Sequence, residues 1–210
     1  MAQPKNYLTV VVVLMLLVGM PLISYLYLKQ GYEYRKEAIM TQHDFGKMPF
    51  LGDLDEVRGT LPDSLRGSMV VVGWLDPSKP VTTKRYGQTL DSLYQQFAES
   101  PNLYLTTLVR SDDPAATVED FTERYNLPED PMLSFLAADG EGFNRSGRAF
   151  RLPGLPGESP TVALVDSSLT IVKHYDLNRR DETIGLVQLI SLIIPLPEKP
   201  DVVVKREKEL

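Results

Sequence analysis

The most extended pattern in the chain is apolar. From Tyr7 to Leu28, 22 residues pass without a charge, dominated by Val10 to Val13, Leu14, Leu16, Leu17 and Leu26. At about 1.5 Å per residue, a helix of that length covers roughly 33 Å, enough to cross a hydrocarbon core. Pro21 lies inside the run, where a membrane helix tolerates it better than a soluble one does. Tyr7, Tyr25 and Tyr27 stand near the ends, where amphipathic rings favour the interface. The run closes on Ser24-Tyr25-Leu26-Tyr27-Leu28-Lys29, without the small residues that precede a signal-peptide cleavage. The pattern predicts a short segment 1–6 and an uncleaved anchor over 7–28. A polar helical stalk over 29–40, a folded domain over 41–197 and a charged tail over 198–210 complete the division.

Within the domain the hydrophobic period alternates between strand and helix. Met69 to Trp74 is a continuous apolar run, the signature of a strand covered on both faces. Tyr86, Leu90, Leu93, Tyr94 and Phe97 recur at helical spacing until Ser100-Pro101 stops them. Leu103 to Val109 reads as a second strand. Thr117 is the expected cap of the next helix, whose face carries Val118, Phe121 and Tyr125. Thr161 to Val165 and Thr170 to Tyr175 flank Asp166-Ser167-Ser168, a turn short enough for a hairpin. Asp181 is expected to cap a final helix over Glu182 to Ile194, ended by Pro195. The order is β-α-β-α, then a hairpin and a helix, which predicts an α/β domain with a mixed sheet between helices.

Composition narrows the chemistry. There are no cysteines, which removes disulfides, thiolate metal sites and dithiol redox chemistry together. His43 and His174 are the only histidines, too few for a multi-histidine metal centre. Lys and Arg number 22 against 28 Asp and Glu, a net charge of -6 that argues against general nucleic-acid binding. Gly140-Glu141-Gly142-Phe143-Asn144-Arg145 fails the dinucleotide fingerprint at its third glycine, and no Walker loop or His-Glu-x-x-His occurs.

Two stretches carry a family resemblance. The segment Asp63-Ser64-Leu65-Arg66-Gly67-Ser68 leading into Met69–Trp74 resembles the entry to the first core strand of thioredoxin-like proteins of the Sco/SenC and peroxiredoxin type. Ser111-Asp112-Asp113-Pro114, with Thr117 and Glu119 to Tyr125, resembles the segment after the second strand in Sco/SenC proteins. Ser134-Phe135-Leu136, a candidate helix from Gly142 to Leu152, and Thr161 to Asp166 keep the later order. The resemblance implies a thioredoxin-like fold preceded by one transmembrane helix. Sco/SenC proteins act in cytochrome oxidase assembly and bind copper through a Cys-x-x-x-Cys loop and a distant histidine. Here Asp76 and Pro80 fall where the cysteines would be, and Glu158 where the histidine would be. Copper(I) prefers soft thiolates, so this donor set does not suit the family's metal. The expectation is a redox-inactive domain without metal or cofactor, acting non-catalytically as an accessory or assembly subunit of a respiratory membrane complex. The alternative is a copper carrier using non-cysteine ligands.

Other residues admit two readings each. Asp76 and Glu158 either meet to bind a hard cation or share a proton, or are solvated loop residues. Pro160 occupies the position of the fold's cis-proline, with a conformational role. His43 and His174 are each lone. Arg145, Arg148 and Arg151 beside Phe143 form either a cationic, aromatic contact for a protein partner or a solvated face behind core phenylalanines. The last helix, apolar nearly all round, is either packed or buried in a partner or bilayer surface. Counting basic residues beside the anchor leans weakly toward a cytoplasmic C-terminal side. The resemblance implies the reverse: a single-pass inner-membrane protein with its domain in the periplasm, or in the mitochondrial intermembrane space.

Overall fold

The structure is a computed structural model that describes residues 5–40, 43–62 and 64–194. The chain divides into two units, 1–42 and 43–210. Thr41, the expected domain start, and the tail over 198–210 lie outside the described residues.

The first unit is helical: α1 spans Lys5–Leu14, a widened π turn spans Met15–Gly19, and α2 spans Met20–Met40. The widened turn ends two residues before Pro21, which offers no N–H and whose ring would crowd the carbonyl of Leu17. Val10–Glu33 is long and apolar enough to cross a membrane, by length and composition.

The second unit is built on a six-stranded mixed sheet in the order β1-β4-β3-β2-β5-β6. The strands are β1 Asp55–Arg58, β2 Met69–Leu75, β3 Leu103–Val109, β4 Leu133–Ala137, β5 Thr161–Val165 and β6 Ile171–Asp176. β2, β3 and β4 run parallel, while β1, β5 and β6 pair antiparallel to their neighbours. The helices are α3 Pro80–Phe97, α4 Pro114–Arg124, α5 Gly140–Ala149 and α6 Arg180–Ile193.

Every residue of β2 is buried, because the central strand is covered on both faces. Val70, Val72 and Trp74 join Phe143 of α5 and Phe150 in one core layer. Trp74 donates from Nε1 to Ser146 Oγ at 2.8 Å and meets the Phe150 ring edge-on. On the other side Gly73 faces Tyr86 of α3, and a Cβ there would collide with the Tyr86 ring. Tyr86 in turn stacks on Phe121 of α4 and shares a 2.6 Å hydrogen bond with Thr107 of β3. Residues 43–48 run beside the outer edge of β6: the amides of His43 and Phe45 donate to Val172 and Ile171, and that of Met48 to Leu169. That pairing covers the start of an otherwise open sheet edge.

Several boundaries differ from expectation. α3 begins at Pro80, where the missing N–H costs nothing in the first turn. The cap of α4 is Asp113, which accepts from Ala116 N, and Thr117 lies one turn inside. α5 runs Gly140–Ala149 rather than 142–152, capped by Asp139 and ended as Arg151 turns to φ 53°. In α6 the cap position is Arg179, and Asp181 sits in the first turn, paired with the Arg179 guanidinium at 2.8 Å. β6 is shifted by one residue to Ile171–Asp176. α6 buries Leu186, Leu189 and Ile190 and leaves Ile184 46% exposed, so it is packed on one side only.

Candidate functional site

The three parallel strands end together, and the loops that follow them enclose the largest cleft described. It holds about 680 Å³ and is lined by Asp76, Pro77, Ser78, Arg110, Ser111, Asp112, Asp113, Ala138, Asp139 and Gly140. In open α/β sheets this edge is where ligands sit, because loops and helix N-termini converge there. The first turns of α4 and α5 form two walls, but Asp113 and Asp139 already occupy their free amides: Asp113 accepts from Ala116 N at 3.1 Å and Asp139 from Gly142 N at 2.5 Å.

Asp76 follows β2 directly and is 6% exposed. Its Oδ1 accepts from the Ser78 amide at 2.9 Å and the Ser78 hydroxyl at 2.6 Å. Its Oδ2 faces Arg110 Nη1 at 3.6 Å, with the arginine side chain 48% exposed. Arg110 is placed by its own amide, which donates to Leu75 O at 2.9 Å at the end of β3. The backbone carbonyl of Asp76 accepts from Lys79 N and Thr83 Oγ1, tying the loop to the start of α3. The buried carboxylate is thus satisfied within the chain.

The three expected ligand positions lie on loops that meet at the start of α3. Gly157, at φ +80°, packs on Asp76 so closely that a Cβ would stand 3.0 Å from the Asp76 Cβ. The carbonyl of its neighbour Glu158 accepts from Thr82 Oγ1 at 3.3 Å, so the loop before β5 does lie against the start of α3. The Glu158 side chain, however, is exposed. Pro80 lines a different, small cleft of about 100 Å³ with Leu75, Pro77, Thr83, Thr117, Phe121 and Arg124. None of the described clefts is lined by Asp76, Pro80 and Glu158 together. Pro160 is buried and preceded by a trans peptide, in contrast to the expected cis-proline position.

The histidines are less isolated than their sequence positions suggest. The Phe45 ring lies 5.6 Å from the His43 ring and 4.5 Å from that of His174, centroid to centroid. His174 donates from Nε2 to Phe150 O at 2.8 Å, and burial holds its pKa below the ordinary value despite that bond. The candidate partner contact is also divided. Arg145, Arg148 and Arg151 are exposed, and Arg145 pairs with Glu141 at 2.6 Å. Phe143 is 0% exposed and belongs to the core, so it is not available to a partner. Among the described residues, no group of three or more Asp, Glu or His is placed to hold a metal ion.

Arg110, Ser78 and Asp139 were not singled out from the sequence. The available signal was positional: Arg110 is the first residue beyond a predicted strand, and Asp139 precedes Gly140 as a helix-capping residue would.

No family model and no curated protein matches the chain. Solved structures do. A SCO1/SenC family lipoprotein from Bacillus anthracis superposes with a TM-score of 0.51 at 11% identity, over 61% of this chain and 83% of that one. BsSco, a member of the Sco family of cytochrome c oxidase assembly proteins, gives 0.52 at 12% identity, over 72% and 96%. A candidate electron transfer protein from Aquifex aeolicus gives 0.54 at 13% identity, over 72% and 94%. Likeness at this identity speaks to architecture alone.

Proposed function

The second unit has the thioredoxin-like fold of Sco/SenC proteins, and from that premise we propose that the protein is a membrane-anchored, redox-inactive member of this architecture. It acts as a non-catalytic accessory or assembly subunit of a respiratory, cytochrome oxidase-type membrane complex. The observation that carries the reading is the state of the loop after β2. Where the resemblance places a thiol, Asp76 is buried and bonded to Ser78 and Arg110. A thioredoxin fold without cysteine cannot exchange disulfides, and a carboxylate engaged by its own chain is a poor ligand for a soft metal. The respiratory assignment rests on analogy with the assembly role named for BsSco.

In this reading Val10–Glu33 is a single-pass anchor and the domain lies in the periplasm or its mitochondrial counterpart. A domain of this size can translocate despite nearby basic residues. Arg145, Arg148 and Arg151 serve as the cationic contact for the membrane-protein partner. The alternative of a copper carrier with oxygen, histidine or methionine ligands is favoured by no specific contact. Affinity purification from native membranes in mild detergent, followed by mass spectrometry, tests the proposal. Subunits of one respiratory complex should co-purify reproducibly, and fewer should do so from an Arg145→Glu, Arg148→Glu variant. A chain that purifies alone would overturn the assignment, and protection of the domain from protease in intact spheroplasts would overturn the topology.

A further inference from the structure

An apolar groove of about 230 Å³ opens at the pole of the domain opposite Asp76. Met48, Pro49, Phe50, Leu61, Leu65 and Leu169 supply most of its lining. Its position follows from the register. Leu65 lies four residues before β2, Leu169 lies in the β5–β6 turn, and the Gly67 amide donates to Ser167 O across the two. The seven residues of β2, at about 3.3 Å each, separate this pole from the strand ends that bear Asp76 by roughly 20 Å.

Phe50 is 78% exposed, the only exposed large aromatic among the described residues of the second unit. Its ring lies over Gly52, where a Cβ would stand 2.5 Å from the ring's Cζ. The bare backbone of Gly52 therefore seats the ring at the surface. Arg66, exposed, lines the same groove. An exposed aromatic over an apolar floor with a guanidinium alongside is the composition that partitions to the level of phosphate headgroups.

Chain length limits how far this pole can stand from the helix. α2 continues seven residues past Glu33, the end of the membrane-length stretch, and three more reach His43. At about 1.5 Å per helical residue and no more than about 3.6 Å for each of the rest, that tether is roughly 20 Å. A domain of this length is roughly 40 Å across. The tether is thus shorter than the body it holds, and the segment that enters from it, 43–48, leads directly to Phe50. Confinement of this kind makes even a weak surface contact intramolecular.

We propose that the groove around Phe50 docks on the headgroup layer of the bilayer that holds the N-terminal helix. This rests on the reading of Val10–Glu33 as an anchor and adds an orientation: the Asp76 cleft points away from the membrane, toward a partner's soluble face. The absence of cysteine allows single-site labelling without background. In the full chain, reconstituted in phosphatidylethanolamine–phosphatidylglycerol vesicles, a bimane probe is placed at Ser64→Cys on the groove rim. Matching probes are placed at Val81→Cys on the opposite pole and at Val18→Cys in the helix. Lipids spin-labelled near the headgroup should quench the Ser64 probe severalfold more than the Val81 probe. Adding Phe50→Asp should abolish most of that difference while a mid-chain spin label still quenches the Val18 probe. Equal quenching at Ser64 and Val81, or quenching at Ser64 that survives Phe50→Asp, with Val18 still quenched, overturns the docking and leaves the anchor standing. Loss of quenching at Val18 overturns both.

Discussion

Asp76 is held by a serine two residues along and faced by a guanidinium that stands half in water, and these two contacts differ in weight. The hydrogen bonds to Ser78 are short and the carboxylate is buried, so Asp76→Ala should cost about 1–2 kcal/mol in urea denaturation. Arg110→Ala removes a 3.6 Å pair with a partly solvated partner and should cost less than about 1 kcal/mol. A larger loss from the arginine would show that the ion pair, rather than the serine, holds the loop. His174 gives a second residue-scale expectation. Burial lowers its folded pKa below 6.5, so the unfolded chain takes up the proton first as pH falls. Stability attributable to this group is complete above about pH 6.5 and declines as pH falls through the lower folded value. Thermal unfolding from pH 7.5 to 5 should show that loss, and His174→Gln should flatten it; an unchanged slope would assign the dependence elsewhere. Sequence reading located Asp76 but not its partners, because Arg110 is distant in the chain and meets it only through the β2–β3 register. Of the two readings open for Phe143, contact residue or core phenylalanine behind a solvated arginine face, burial favours the second, since a single aromatic on a short polar helix is the part that enters the core.

At the scale of elements, the long periodic segments were legible and the short ones were not. β2 is a continuous apolar run and β3 and β5 are apolar apart from threonines, and all three appear within one residue of expectation. β1 escaped notice because Asp55, Glu56 and Arg58 carry charges that suit a short edge strand but give no hydrophobic period. β4 was recognised only as part of the family order. Its Ser134 breaks the apolar run, and the reason lies across the sheet, where the Ser134 hydroxyl donates to Thr106 at 2.9 Å. The expected capping residues lie inside their helices, Thr117 four residues and Asp181 two residues past the observed cap positions, because both have capping chemistry while Pro114 and Arg180 start their helices earlier. Packing between β2 and α3 supplies the prediction at this scale. Gly73→Ala forces a methyl into the Tyr86 ring and should destabilise the domain by about 1–3 kcal/mol. Adding Tyr86→Ala, itself costly, should make the Gly73 substitution nearly neutral in a double-mutant cycle; additive losses would mean the methyl strains something else.

For the whole molecule, the division into an apolar helix and a thioredoxin-like body was visible in the pattern of the chain. The sheet order was not, since pairing of the charged β1 with β4 has no local signature. The fold brings the loops of Asp76 and Glu158 together as the resemblance implies, yet turns the Glu158 side chain outward and Pro80 into a separate cleft. The carboxylates of the cleft at the strand ends are engaged as helix caps or with Arg110 and Ser78, save Asp112. The proposed role requires that the Asp76 site bind no copper. Copper(I) titration of the full chain in detergent, against a competing chromophoric chelator, measures it. Wild type and Asp76→Ala should both leave the metal with the chelator; stoichiometric copper retained by the wild type and lost on Asp76→Ala would contradict it.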